Sequence, residues 1–295
     1  MPVSSTVAAT PPTLPPGIGL LRLKFRLLSA LSTEWAFRQA WRLFTSPRPL
    51  PTKRWEAAAL ADARQFWVPT SGGQVAAYEW NPSGTRTVLL VHGWEHRASF
   101  WGAMVRPLVA AGFRVVALDG PAHGASPGTR TTLPTFGAAV QAVADTVGEV
   151  YGVVAHSFGG AAVAGIPVRF NQTTTGQLPR LVLLAVPAST TAVAQRFAAL
   201  LQLRPAVLAR IARHVREQHG RDAESFSLLR MGHQLPIGRA LLLHDHTDAS
   251  IPFAEAQAIA DSWPALDFRP TSGLGHNRIM RDPAVLRQVV AFLER

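Results

Sequence analysis

Val150-Tyr151-Gly152-Val153-Val154-Ala155-His156-Ser157-Phe158-Gly159-Gly160 is the stretch whose reading decides the fold. Its first five residues form an apolar run that reads as a buried strand, and the Ala-rich run after Gly160 reads as a helix. Between them stands Ser157, bracketed by small residues. A strand that turns directly into a helix holds its corner residue in strained backbone angles. The turn closes only if the residues two before and two after the corner are small. Ala155 and Gly159 occupy those places. A serine at such a corner is a candidate nucleophile. The pattern small-x-Ser-x-Gly also arises by chance, so the flanking sequence has to carry the argument.

Upstream, Thr87-Val88-Leu89-Leu90-Val91 reads as a buried strand running into His92-Gly93-Trp94. A serine attacking a carbonyl needs N–H donors aimed at the oxyanion that forms. The N–H after the nucleophile, that of Phe158, is one candidate, and that of Trp94 in the earlier loop is the second. Phe113 to Leu118 reads as a third strand, and the Gly- and Pro-rich Asp119 to Ser126 as a tight loop at its end. His92 and His123 are expected to brace these loops rather than to move protons. Further on, the strand Ala240-Leu241-Leu242-Leu243 feeds His244-Asp245-His246-Thr247-Asp248, and a later loop carries Gly275-His276. An acid followed by a base, after the serine, gives the chain order Ser…Asp…His.

With these blocks in place the sequence resembles the α/β-hydrolase superfamily of serine hydrolases, from about residue 87 to residue 292. The resemblance implies Ser157 as nucleophile, His276 as general base and Asp248 as the acid, because Asp248-Ala249-Ser250-Ile251-Pro252 fits Asp-x-x-(Val/Ile)-Pro. Trp94 and Phe158 fall at the oxyanion-donor positions, with Gly93 and Gly159 as motif glycines. Ala155 stands where the family usually has Gly, and Asp245 is a rival acid. The acid position that some members use after the strand Leu181 to Ala185 is empty, since Val186-Pro187-Ala188-Ser189 holds no carboxylate. The implied chemistry is acyl transfer to a serine, most simply hydrolysis of a carboxylic ester of a small-molecule substrate. Thioesterases, amidases and acyltransferases use the same triad, and a non-catalytic ligand-binding member of the fold is a further alternative. The reading requires no cofactor and no metal. His244, Asp245 and His246 alternate along a strand end, so they do not all share one side.

Apolar residues at 47% and charged residues at 16% suit a globular chain with a sizeable core. The net charge of +11 raises the question of a nucleic-acid partner. Its distribution argues against one. Residues 1–60 hold eight Lys and Arg against two acids, and residues 188–235 hold seven Arg against three, which leaves the remaining body nearly neutral. Neither appendage has a zinc-finger spacing or an aromatic-basic strand motif. With no Cys there is no disulfide framework to constrain the compartment, and cytoplasm is the default expectation.

The expected organisation is an N-terminal extension over residues 1–54, a catalytic domain over 55–189 and 236–295, and a helical cap insertion over 190–235. Residues 1–17 are proline-rich and expected to be disordered, with an amphipathic helix following them. Leu21 to Leu27 alternates apolar and basic residues with a strand period. Just downstream, Ser32 suits a helix cap, Glu34 a first turn, and Phe37, Ala40, Trp41 and Phe44 one apolar face. This segment reads either as packing on the body or, through residues 18–45, as a basic amphipathic contact with an anionic membrane surface. Arg22, Lys24 and Arg26 break the apolar run a signal peptide would need, and no apolar stretch approaches a membrane span. Trp55 to Phe66 reads as a helix, and residues 66–80 as a hairpin around Thr70 to Gly73. From there strands alternate with helices, which predicts an α/β fold: a mostly parallel twisted sheet covered on both faces. His214, His219 and His233 read as surface residues.

Overall fold

Strand-forming runs appear where the β-branched and aliphatic residues cluster. The computed structural model describes residues 17–166, 168–170 and 176–295. Its strands are β1 (Arg64–Thr70), β2 (Gly73–Trp80), β3 (Thr87–Val91), β4 (Arg114–Leu118), β5 (Gly152–His156), β6 (Arg180–Leu184), β7 (Arg239–Asp245) and β8 (Leu266–Thr271). They form one sheet in the order β1-β2-β4-β3-β5-β6-β7-β8. β2 pairs antiparallel with β1 and β4; every later pairing is parallel. This is the α/β-hydrolase arrangement that the sequence predicts.

The helices are α1 (Ile18–Leu31), α2 (Thr33–Thr45), α3 (Arg54–Leu60), α4 (Gly102–Ala110), α5 (Leu133–Val147), α6 (Phe158–Gly165), α7 (Thr190–Leu201), α8 (Pro205–His219), α9 (Leu228–Met231), α10 (Phe253–Ser262), α11 (Gly275–Arg278) and α12 (Pro283–Glu294). Local chemistry sets several starts. Ser32 Oγ accepts the Trp35 N–H at the head of α2, and Asp282 accepts the N–H groups of Ala284 and Val285 at the head of α12.

The central strands are apolar on both faces because helices cover both. Along β3, Leu89 and Val91 join the core under α5 and α6, while Val88 and Leu90 join the opposite core with Trp101, Met104 and Phe292. β5 divides the same way, Val153 and Ala155 against Val154. The two-residue period thus feeds two separate cores from one strand. A third cluster lies apart from the sheet. Ile18, Phe25, Phe37 and Ala40 from α1 and α2 pack against Leu201, Val207 and Ile211 from α7 and α8. The N-terminal helices are therefore joined to the segment inserted between β6 and β7.

Leu21 to Leu27, despite its strand-like period, lies within a helix, as expected after residue 17: at 100° per residue its alternating apolar side chains separate onto two opposite sides of α1, one of which finds α2 and α7. Two local expectations are corrected. The stretch Trp55 to Phe66 splits: α3 ends at Leu60, and Arg64 begins β1, drawn into the sheet by pairing with Glu79. His214 is not a surface residue but half-buried, its ring 4.8 Å from Trp41 and 5.2 Å from Phe37. The expected disorder over residues 1–17 falls outside the described residues except for Gly17.

Candidate functional site

Ser157 sits between the end of β5 and the start of α6, with φ 50° and ψ −121°. That positive φ is strained for a residue with a side chain, and its neighbours hold it. Its N–H donates to Leu184 O at 3.0 Å, tying the corner to β6. α6 then runs close under the first parallel strand: a Cβ at Gly159 would press into the carbonyl oxygens of Val91 and His92. Only glycine permits that approach.

The loops after β7 and β8 bring the other two residues to this corner. His276 Nε2 lies 3.0 Å from Ser157 Oγ, and His276 Nδ1 lies 2.8 Å from Asp248 Oδ2. The carboxylate can only accept, so Nδ1 carries a proton and Nε2 is free to accept the serine hydroxyl. Asp248 is buried, and its Oδ1 accepts the N–H groups of Ser250 at 2.8 Å and Ile251 at 2.9 Å. Burial works to raise its pKa. The His276 hydrogen bond, with these N–H groups, outweighs it and holds the carboxyl below its ordinary value.

Asp245, the rival acid, faces elsewhere. It accepts hydrogen bonds from Thr247, from Thr271 at 2.8 Å and from the Leu274 N–H at 3.0 Å, ordering the loop that carries His276. His244 Nε2 donates to Ile251 O at 3.0 Å, and His246 stacks on Phe253. Among the described residues no three such side chains converge as metal ligands.

The loop after β3 lies against Ser157. A Cβ on Gly93 would stand 3.1 Å from Ser157 Cβ and 2.8 Å from His156 Nδ1, so glycine alone lets this loop come so near. The rings of Trp94 and Phe158 meet edge-to-face at 5.2 Å. Phe158 opens α6, so its N–H belongs to a first turn that has no acceptor inside the helix. His92 Nδ1 donates to Gly93 O at 2.7 Å while Nε2 accepts the Gly120 N–H at 2.9 Å. His123 Nδ1 donates to Pro121 O at 3.0 Å and Nε2 accepts the Glu95 N–H at 3.1 Å. Both histidines staple the loop after β3 to the loop after β4.

Two further histidines meet the site without a sequence-level assignment. His156 is fully buried and its Nε2 donates to His276 O at 2.9 Å, holding the backbone of that residue. Its ring stacks on that of His96, interplanar angle 6°. The signal for His156 was its place beside Ser157; nothing local marked His96. Equally unmarked was the bracing by the N-terminal segment. Arg48 grips Glu95 through Nε at 2.8 Å and Nη2 at 2.7 Å, and Arg97 grips the buried Glu56, which also accepts from Ser99 at 2.6 Å. These partners lie more than 40 residues apart, beyond any local pattern.

Residues 88–289 match the family model described as "Alpha/beta hydrolase family". A "Serine hydrolase-like protein" of Danio rerio is 33% identical over 109 residues, 35% of this chain and 33% of that protein. A "Non-heme chloroperoxidase" of Streptomyces lividans is 33% identical over 127 residues, 41% of this chain and 44% of that protein. The chain thus spans between a third and a half of these curated relatives. An esterase from Pyrococcus furiosus superposes with a TM-score of 0.62 at 18% identity, over 85% of this chain and 98% of that one, a likeness of fold.

Proposed function

The chain belongs to the alpha/beta hydrolase family, and from that premise we propose that it is a serine hydrolase cleaving carboxylic esters, with Ser157 as nucleophile, His276 as base and Asp248 as acid. The observation that carries this reading is the unbroken relay Ser157 Oγ–His276 Nε2–Asp248 Oδ2, anchored on a serine with positive φ.

His276 takes the hydroxyl proton as Oγ bonds to the ester carbonyl carbon. The oxyanion is received by the N–H groups of Trp94 and Phe158. Collapse breaks the bond to the alcohol, which leaves with the proton from His276. Water then attacks the acyl-enzyme, giving its proton to the same nitrogen, and the acid departs as Ser157 is restored. Asp248 fixes the tautomer and stabilises the imidazolium. Loss of one oxyanion donor costs about 3 kcal/mol, roughly a hundredfold or more in rate. In this reading α7 to α9 form a cap over the site, widened by α1 and α2, which pack on it through the third apolar cluster.

Labelling with a fluorophosphonate probe, followed by peptide mapping, tests the proposal without a guess at the substrate. Modification confined to Ser157, lost in Ser157→Ala, together with turnover on an ester panel, is the expected result. Folded protein that neither labels nor turns over any ester refutes it.

A further inference from the structure

α1 is apolar on two opposite sides. Its inner side sets Ile18, Leu21, Phe25 and Leu28 against the neighbouring helices. The outer pole carries Leu20, Leu23, Leu27 and Leu31, spaced i, i+3, i+7 and i+11. All four are exposed, Leu20 and Leu31 to 74% each. Single exposed leucines are ordinary, but a ridge running the length of a 14-residue helix is not. A contiguous exposed apolar ridge marks a surface that another protein or a membrane covers. Among the described residues, none covers it.

The charges beside the ridge decide what covers it. Lys24 and Arg26 lie on its two borders, and the exposed face of α2 extends the surface with Trp35, Arg38, Arg42 and Leu43. Between residues 17 and 54 there are eight Lys and Arg and one acid. That acid, Glu34, is already held by Arg38 at 3.1 Å and Arg210 at 3.0 Å. Lys24, Arg42 and Arg130 also line a groove of about 660 Å³ whose walls include Leu21, Phe25 and Leu43. A second copy of the chain would bring this positive surface against itself. An anionic bilayer complements both features: its acyl boundary takes the leucines, its headgroups take the cations, and an exposed tryptophan suits the level between them.

We infer that the outer face of the α1–α2 hairpin docks on an anionic lipid surface, Leu20, Leu23, Leu27 and Leu31 entering the interface and Lys24, Arg26, Arg38 and Arg42 meeting the headgroups. No helix among the described residues is long and apolar enough to cross a membrane, so this contact lies in the plane of the interface. It rests on surface geometry and not on the hydrolase reading.

The test is sedimentation of the full chain with vesicles of phosphatidylcholine containing phosphatidylserine, and with vesicles of phosphatidylcholine alone. Wild type is expected to pellet with the first and far less with the second, and to be released by salt. Leu23→Gln/Leu27→Gln and Lys24→Gln/Arg26→Gln are each expected to weaken binding about tenfold or more. Thermal midpoints, and hydrolysis of a soluble ester by the variants, control for folding and report separately on the enzymatic reading. Folded protein that ignores phosphatidylserine vesicles overturns the inference, as do variants that bind like wild type. A dimer dissolved by Leu23→Gln/Leu27→Gln, without vesicle binding, assigns the ridge to a second copy and overturns it too.

Discussion

Acidification from about pH 7.5 to about pH 5.5 is expected to destabilise the fold through histidines buried in neutral form beside Ser157. His92 and His156 are fully buried. Each is fixed as one tautomer: His92 donates to Gly93 O and accepts from Gly120, and His156 donates to His276 O. Burial drives both pKa values well below the ordinary histidine value; for His92 the nearby His123 adds to this, and for His156 His276 and His96 do. A depressed folded pKa means that the unfolded chain binds the proton first. The stability is therefore complete above about pH 6.5 and is lost as pH falls toward the folded value. Where the folded pKa lies far below the working pH, the loss per histidine is RT ln(1 + 10^(6.5 − pH)), about 1.4 kcal/mol at about pH 5.5. The two together give about 3 kcal/mol, a large share of a typical 5–15 kcal/mol. His96, brought down to about 4 mainly by burial, and the lowered His123 and His244 act in the same direction, whereas the raised Asp119 acts against it. Urea unfolding at the two pH values measures the difference. A loss below about 1 kcal/mol would mean that these rings accept protons while folded, which refutes the argument.

Asp248→Asn is expected to lower kcat by about 10⁴-fold with the thermal midpoint little changed, because it removes the group that fixes the His276 tautomer. Asp245→Asn is expected to act mainly on stability and loop order, and equal kinetic losses in the two variants would contradict the assignment of the acid. Gly93→Ala places a methyl group against Ser157 Cβ and His156 Nδ1, and steady-state kinetics should show kcat reduced by about tenfold or more in a folded protein. Glu79 is buried between Arg64 at 2.5 Å and Arg114 at 2.6 Å, tying β1 and β4 across β2. Glu79→Gln should therefore cost about 3 kcal/mol in urea unfolding, and a neutral outcome would show that this bridge is not needed.

Much of the fold was legible because its signals are local. Runs such as Leu89-Leu90-Val91 and Val153-Val154 are apolar at every position, as strands buried on both faces must be, and the small residues around Ser157 mark a corner whose steric demand is itself local. At two places local pattern underdetermined the partner. Leu21 to Leu27 alternates like a strand, yet the same spacing on a helix makes two apolar sides, and docking on α2 and α7 selected the helix. The arginine- and histidine-rich α8 reads as solvated, yet His214 is packed between Phe37 and Trp41 from a segment more than 170 residues earlier.

By itself, then, the sequence determined the strand and helix order, the corner serine and the residues able to act as acid and base, because each depends on residue type and near-neighbour spacing. Only the tertiary structure decided that Asp248 rather than Asp245 faces His276, and that His156 holds that residue's carbonyl. It alone decided, too, that Arg48 and Glu56 brace the loop bearing Trp94. Hydrogen bonds and ion pairs act over about 3 Å of space. Which groups come that close depends on how the loops at the strand ends converge, and no spacing along the chain records it.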